Sequence, residues 1–408
     1  MFQSTGVIVM GVSIGELGIA GFAAAGFMSI VSPIYTFYVI FTSMANLFDY
    51  LLWRGDLSFR ESPFNPVDNV IFSQLAYLTF DGIIPSPEEK TAINLSLAVR
   101  IFREKLNANV IKSTSGFKED PDFIKAIISS KRFSGCELFG FINHFDTELE
   151  IQFSAFCVST NDGCTSIIFR GTDSSLVGWK EDFNMCFMDV IPSQLIAVNY
   201  LEKMARCIRG SLRIGGHSKG GNLAIYAAAH CKKNIQKRIK NIYSNDAPGF
   251  NEKVTSGAGY KAIKDKIKSF VPQSSIIGMF LQEGNYFTVI HSSESGLMQH
   301  CQYSWEVTHN NLVLAEKSTP SSRFVNNIIR EWIDTHDKDD KEKFIEALYY
   351  VLKEADVKST IELEKTWFTS IGRVMKSLNG MEETSKKFMK KTFLELFRSA
   401  GNNIKDFM

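Results

Sequence analysis

Leu212-Arg-Ile-Gly-Gly-His-Ser-Lys-Gly-Gly-Asn-Leu-Ala-Ile-Tyr-Ala-Ala-Ala229 is the stretch whose reading decides the fold of this chain. Leu212 to Ile214 is a short apolar run and reads as a buried strand. From Lys219 onward Leu223, Tyr226 and Ala227 recur at helical spacing. Between the two stands Gly216-His-Ser-Lys-Gly220, a G-x-S-x-G. In a nucleophile elbow the serine occupies a sharp, strained strand-to-helix turn, and small residues flank it because side chains there would strike strand or helix. Such a turn lifts Ser218 Oγ clear of the sheet. It also aims the next helix N-terminus at it, so that the Lys219 backbone N–H faces a developing oxyanion. The pattern alone is weak, and a plain Gly-rich turn entering a helix satisfies it too. Its context, with glycine at 215, 216, 220 and 221 between strand and helix, favours the nucleophile.

With 408 residues the chain can bury a large core and hold one big domain with appendages. A hydrophobic content of 45% and a charged content of 22% are those of a folded protein. A formal charge of +1 gives no electrostatic reason to expect nucleic acid as a partner. The seven cysteines, at 136, 157, 164, 186, 207, 231 and 301, are scattered, odd in number and free of C-x-x-C. That distribution favours a reducing compartment over a disulfide framework or a zinc site.

Leu17 to Phe48 contains no charged residue, and Leu17–Phe41 is long enough to span a bilayer. No Lys or Arg precedes the run, which argues against a secretory signal peptide. The first basic residue is Arg54, so a spanning helix would leave a cytoplasmic body tethered to the membrane. Against this, Met44 opens Met-Ala-Asn-Leu-Phe-Asp-Tyr, which reads as the start of a soluble domain, with residues 1–43 an over-extended start. Both readings stand on the sequence.

Helices are expected over Val67–Leu78, Glu88–Glu104, Phe123–Ser129 and Ser193–Arg209, the last with Leu195, Val198, Leu201 and Met204 inward. Period-two stretches at Leu138–Asn143, Leu149–Val158 and Cys164–Arg170 read as antiparallel strands, the last two joined by Asn161-Asp-Gly163. Further strands are expected at Ile239–Ser244, Lys268–Val271 and Tyr286–His291. Strands alternating with helices around the elbow indicate an α/β sheet. After Thr319 the pattern is helical, at about 320–335, 341–354, 359–378 and 382–398, with no catalytic combination. Three regions follow: a hydrophobic segment 1–43, an α/β domain 44–318 and a helical region 319–408.

Phe169-Arg-Gly-Thr172, the segment Ser174–Phe183 with Trp179, and the elbow together resemble the class 3 lipases. Trp-Arg-Gly-Asp, Gly-Gly-His-Ser-Lys-Gly-Gly-Asn, Ser-Asn-Asp-x-Pro-Gly-Phe and Met-Gln-His with Ser-Trp-Glu-Val add a closer likeness. From Met44 to about Val307 the chain resembles a bacterial family of lipase-like α/β-hydrolases, a domain of unknown function related to those lipases. The resemblance implies an α/β-hydrolase fold with Ser218 as nucleophile. The backbone N–H groups of Thr172 and Lys219 would form the oxyanion hole, with the Thr172 hydroxyl a third donor. Lys219 stands where lipases carry an apolar residue, which speaks against a greasy acyl pocket. The base must be a histidine downstream of Ser218. His230 lies about 18 Å along the elbow helix and is out of reach. His291 belongs to a strand, His336 to a surface helix, and His309 remains as a further candidate. His300, in the loop Gly296-Leu-Met-Gln-His-Cys-Gln-Tyr303, is where the resemblance places the base.

The acid is less fixed. Class 3 lipases carry an Asp before Val-Pro, whereas the matching text here, Lys268-Ser-Phe-Val-Pro272, has no carboxylate. Asp246, at the carboxyl end of a strand beside the elbow, is the substitute, with an Asx-turn as its bland role. Glu283 or a Ser–His dyad stands behind it. His217 is expected to support the turn. Leu176, Val177, Trp179, Phe183, Met185 and Phe187 would suit an amphipathic lid or ordinary packing, with Asp182 as a tether. The expected function is hydrolysis of an acyl ester through an acyl-enzyme, with no metal or organic cofactor. The alternative is a catalytically weak hydrolase fold serving as a scaffold at the membrane.

Overall fold

A computed structural model describes residues 45–107, 119–173, 175–281 and 287–354. The chain divides into two units, Met1–Met44 and Ala45–Met408, and every described residue belongs to the second. Leu17–Phe41, Glu283 and the helices expected beyond residue 358 lie outside the described residues. Among those described, no helix is long and apolar enough to cross a membrane.

Helices α1 (Leu47–Arg54) and α2 (Pro66–Leu75) begin the body, each entered through an asparagine. Asn46 and Asn65 accept from first-turn N–H groups while Asp49 and Asp68 reach back to the cap N–H, a capping box at both starts. Strand β1 (Ile93–Asn94) leads into α3 (Leu95–Asn107), α4 (Asp120–Ser129) and α5 (Lys131–Ser134). The helix expected from Glu88 starts only at Leu95. Ile93 and Asn94 are drawn into the sheet opposite Leu138 and Glu137, and Leu95 N–H bonds the Cys136 carbonyl at 2.8 Å.

Strands β2 (Glu137–Asp146), β3 (Ile151–Ser159) and β4 (Cys164–Phe169) form an antiparallel meander. Its second turn has Asn161 at φ 57° and Gly163 at φ 81°, the left-handed geometry that Asn-Asp-Gly predicts. The sheet then turns parallel. Helices α6 (Leu176–Asn184) and α7 (Pro192–Cys207) carry the chain to β5 (Ser211–His217), which runs parallel to β4. Then come α8 (Lys219–His230), α9 (Lys233–Gln236), β6 (Ile239–Asn245), α10 (Glu252–Thr255), α11 (Ala258–Ile263), β7 (Ile267–Pro272) and β8 (Thr288–Ile290). Strands β5 to β8 are parallel, and the spatial order of all eight equals their order in the chain.

Both faces of the sheet are covered, and the two-residue period of the strands divides the core. Phe156, Val158 and Ile168 join a Phe-rich cluster with α1 to α5, including Phe72, Phe80 and Phe102. Phe153, Ala155, Phe169 and Ile214 point the other way, against α7 and α8. The inward side of α7 is Ala197, Tyr200, Leu201 and Met204; Leu195 is exposed, not inward as its spacing suggested. Polar Gln194 takes the inward place and donates to Asn222 Oδ1 at 2.9 Å.

After a small hairpin, β9 (Val307–Thr308) and β10 (Asn311–Leu312), come α12 (Pro320–Thr335) and α13 (Lys338–Glu354). Helix α13 packs on α6. Lys180 Nζ lies 2.6 Å from Glu346 Oε1 and 4.8 Å from the centre of the Tyr349 ring. Helix α13 therefore covers the segment that follows β4.

Candidate active site

Strand β5 ends at His217 and α8 begins at Lys219, leaving Ser218 alone at φ 56° and ψ −133°. A side chain there is strained, and the neighbours hold it. A Cβ on Gly216 would lie 2.4 Å from the Phe169 carbonyl oxygen, and one on Gly220 only 2.1 Å from it, so β4 passes too close for any larger residue. Ser218 N–H bonds the Asn245 carbonyl of β6 at 2.9 Å, which fixes the bend against the next strand. Gly221 N–H closes the bend on the Ser218 carbonyl at 2.9 Å, and the two N–H groups before it come too early in α8 for an acceptor within the helix.

Asp246 follows directly on β6, so the parallel register of β5 and β6 sets it beside the elbow. It is fully buried and adopts φ 50°, a conformation Asp tolerates better than most residues. One carboxylate oxygen, Oδ2, lies 2.6 Å from His300 Nδ1, and Oδ1 accepts from Ser275 Oγ at 2.5 Å. The loop of His300 is built by its own motif. Trp305 Nε1 donates to the Gln299 carbonyl at 2.8 Å, and Gln299 Oε1 accepts from Ser274 N–H at 2.7 Å. Met-Gln-His and Ser-Trp-Glu-Val are thus two halves of one clamp.

His217 secures the same loop. Its Nε2 lies 2.8 Å from the His300 carbonyl and its Nδ1 lies 2.8 Å from Tyr77 Oη. A carbonyl only accepts, so the proton is on Nε2, and the Tyr77 hydroxyl donates to Nδ1. Burial, then the nearby His300, hold the His217 imidazole well below its ordinary pKa and keep it neutral. The two imidazoles lie with centres 4.3 Å apart. His217 supports more than the turn: it ties the elbow to the loop of the second histidine.

The loop after β4 lies against the elbow from the other side. A Cβ on Gly171 would meet the His217 carbonyl oxygen at 2.5 Å and Ser218 Cβ at 3.0 Å. Next to it, Thr172 Oγ1 donates to Asp182 Oδ2 at 2.5 Å. Asp182 is pushed up to about 6 by burial, against the opposing pull of Lys219 and of the Thr172 hydroxyl. While Asp182 is ionised it can only accept, so the single Thr172 hydroxyl hydrogen is committed to it. The hydroxyl expected as a third oxyanion donor is thereby spoken for.

Lys219 does not put its charge beside the serine. The side chain is fully buried, and Nζ bonds Gln152 O at 2.8 Å, Gln152 Oε1 at 3.0 Å and Glu181 Oε2 at 2.8 Å. Helix α6 is anchored through the same pair and through Lys180, whose Nζ meets Glu150 Oε1 at 2.5 Å. Val177 within it and Met185 just after it are buried. Swinging this helix away as a lid would break a buried ion pair, so packing is its structural role.

The remaining histidines have other company. His230 stacks on Tyr226 at 4.0 Å, His336 stacks on Trp332 at 5.0 Å, and His291 directly follows β8. His309 lies at φ 37° in the β9–β10 turn, its carbonyl accepting from Arg54. Among the described residues no cluster of three His, Cys, Asp or Glu is placed to hold a metal ion. Tyr77, Ser275, Glu181 and Gln299 were not anticipated. Two of them carry a signal: Gln299 stands in Met-Gln-His, and a lysine just inside an elbow helix calls for a nearby acid such as Glu181.

An antiparallel-to-parallel sheet covered on both faces, with a strained serine between β5 and α8, is an α/β-hydrolase fold. The Mbeg1-like family model matches residues 127–350, more than half of the chain, and the chain belongs to that family. The match reaches past Val307 into α13, so α12 and most of α13 are part of the family's shared region. Among solved structures the chain is similar to the Lip2 lipase from Yarrowia lipolytica, at 13% identity and a TM-score of 0.29, covering 44% of this chain and 82% of that one. It is also similar to the native Rhizomucor miehei lipase propeptide complex, at 12% identity and a TM-score of 0.30, covering 58% and 78%. A deletion mutant of that complex aligns at 12% identity and a TM-score of 0.32, covering 61% and 93%. No curated protein matches the sequence.

Proposed function

We propose that the protein is a serine hydrolase that cleaves carboxylic esters of lipid-type acyl chains through an acyl-enzyme. The observation that carries this reading is the His300–Asp246 bond of 2.6 Å at the sheet edge next to a serine held at φ 56°. Ser218 Oγ attacks the ester carbonyl and passes its proton to His300 Nε2. Asp246 holds Nδ1–H and steadies the imidazolium. The backbone N–H groups of Thr172 and Lys219 receive the oxyanion; one such donor is typically worth ~10²–10³ in rate. His300 returns the proton to the leaving alcohol, and water then clears the acyl group by the same route. Met298, two residues before His300 and 47% exposed, offers an apolar side chain at the site's margin.

Two features favoured a non-catalytic scaffold, and each has another account. The acid absent from the lipase position is supplied by Asp246 just past the end of the neighbouring strand, and the Lys219 charge is spent on Glu181. The test is labelling with a fluorophosphonate probe, followed by turnover of chromogenic esters of increasing acyl length. Labelling that disappears in Ser218→Ala, with turnover, supports the reading; an unlabelled wild-type protein sinks it. The expected setting is cytoplasmic, with Leu17–Phe41 as a membrane tether, and a fully active, soluble protein beginning at Met44 would remove that tether from the account.

A further inference from the structure

We infer that Lys219 and Glu181 are positioning residues that set the two oxyanion donors relative to each other, a role that rests on the hydrolase reading above. Lys219 contributes its backbone N–H, and its side chain ends between Gln152 of β3 and Glu181 of α6. An ammonium carries three hydrogens, and Nζ has three acceptors: Gln152 O at 2.8 Å, Gln152 Oε1 at 3.0 Å and Glu181 Oε2 at 2.8 Å. The carboxylate is equally occupied, since Glu181 Oε2 also accepts from Gln152 N–H at 3.2 Å and Oε1 from Ser193 N–H at 2.9 Å. Both side chains are fully buried. A buried pair of this kind stabilises only when its hydrogen bonds are complete, and an apolar pair of similar volume would serve packing as well. What the ionic pair adds is direction and distance.

That direction matters because of the next residue in α6. Glu181 holds Lys219, and Asp182 accepts from Thr172 Oγ1 at 2.5 Å. Two successive carboxylates of one helical turn therefore hold the two residues whose backbone N–H groups are assigned to the oxyanion. Gly178 brings α6 close enough to do so: a Cβ there would lie 2.7 Å from Thr172 Cγ2 and 3.1 Å from Gln152 Oε1. Helix α6 acts as a spacer between the loop after β4 and the start of α8. Oxyanion stabilisation is sensitive to donor placement, and a shift near 1 Å can cost about 10²-fold in rate.

The test compares the wild type with Glu181→Gln, Lys219→Met and the double variant Lys219→Met with Glu181→Leu. Each is measured for thermal midpoint, kcat, KM on a chromogenic ester, and inhibition by an alkyl boronic acid that mimics the tetrahedral intermediate. The single variants should lose about 10²-fold in kcat with KM nearly unchanged, and boronate affinity should fall in step. The double variant should recover the thermal midpoint while kcat and boronate affinity stay low. Recovery of all three together would overturn the positioning role and leave the pair merely structural, as would a folded Glu181→Gln with wild-type kcat. A wild-type protein that neither turns over esters nor binds the boronate would instead bring down the hydrolase reading, and the positioning role with it.

Discussion

Replacing Asp246 by Asn is the sharpest probe of the site, because the change is isosteric and the surroundings dictate how the amide can sit. In the native site Oδ2 faces His300 Nδ1 at 2.6 Å and Oδ1 faces Ser275 Oγ at 2.5 Å. Ser275 Oγ already accepts from Gly278 N–H at 2.9 Å, so its own hydrogen is directed at residue 246. An asparagine satisfies Ser275 by turning its carbonyl oxygen there, which turns its NH₂ toward His300. Nδ1 must then accept, the ring proton moves to Nε2, and the base can no longer take a proton from Ser218. The opposite orientation leaves Ser275 facing a second donor inside a buried pocket, at a cost of about 1–3 kcal/mol. Wrong-tautomer substitutions in Ser-His-Asp hydrolases cost ~10⁴ in kcat, so a loss of about 5 kcal/mol in transition-state stabilisation is expected. Steady-state hydrolysis of a short-chain nitrophenyl ester, with the rate of fluorophosphonate labelling alongside, reads it directly. An Asp246→Asn protein that folds and retains kcat within about tenfold of wild type refutes the assignment. Loss confined to Glu283→Gln would move the acid there.

Three further outcomes follow from the same geometry. Gly278→Ala places a methyl 2.1 Å from Asp246 Oδ1, so kcat should fall about 10²-fold with a modest drop in thermal midpoint; an unchanged kcat would show the acid free to move. Tyr77→Phe removes the hydroxyl 2.8 Å from the buried His217 Nδ1 and should cost about 1–3 kcal/mol in denaturant unfolding; no loss would mean that nitrogen has another partner. Asp182, pushed up to about 6 by burial, holds its proton more tightly in the folded protein than in the unfolded chain. Its contribution to stability is therefore full below about pH 4 and lost as pH rises through about 6. Between those values the wild type should lose thermal stability relative to Asp182→Asn, and parallel curves for the two would refute the shift.

The fold was legible because its signals are local. The elbow's glycines, the Asn161-Asp-Gly163 turn and the period-two runs each state a backbone geometry that Gly216, Gly163 and β3 then adopt. The start of α3 departs from the helical spacing because pairing of Ile93 with Leu138 overrides that periodicity, and no local pattern announces a partner that distant in the chain. The same limit governs the site. Asp246 could be weighed from its place at a strand end, but its bond to His300 depends on a loop 54 residues away. Tyr77 and Ser275 sit in unremarked text, and only the folded sheet edge brings them to His217 and Asp246. Lys219 read as a charge at the substrate because its partner, Glu181, belongs to a different helix.

All seven thiols are free, and this shapes how the molecule can be handled. Burial pushes Cys157, Cys186, Cys231 and the His300 neighbour Cys301 up to about 12, and it raises Cys136 and Cys164 as well. At neutral pH such groups are scarcely thiolate and react slowly with alkylating agents. Cys207, at the end of α7, is the exposed one. A maleimide dye will therefore attach at that helix end first, giving a single fluorescent reporter without mutagenesis and sparing the loop next to the imidazole.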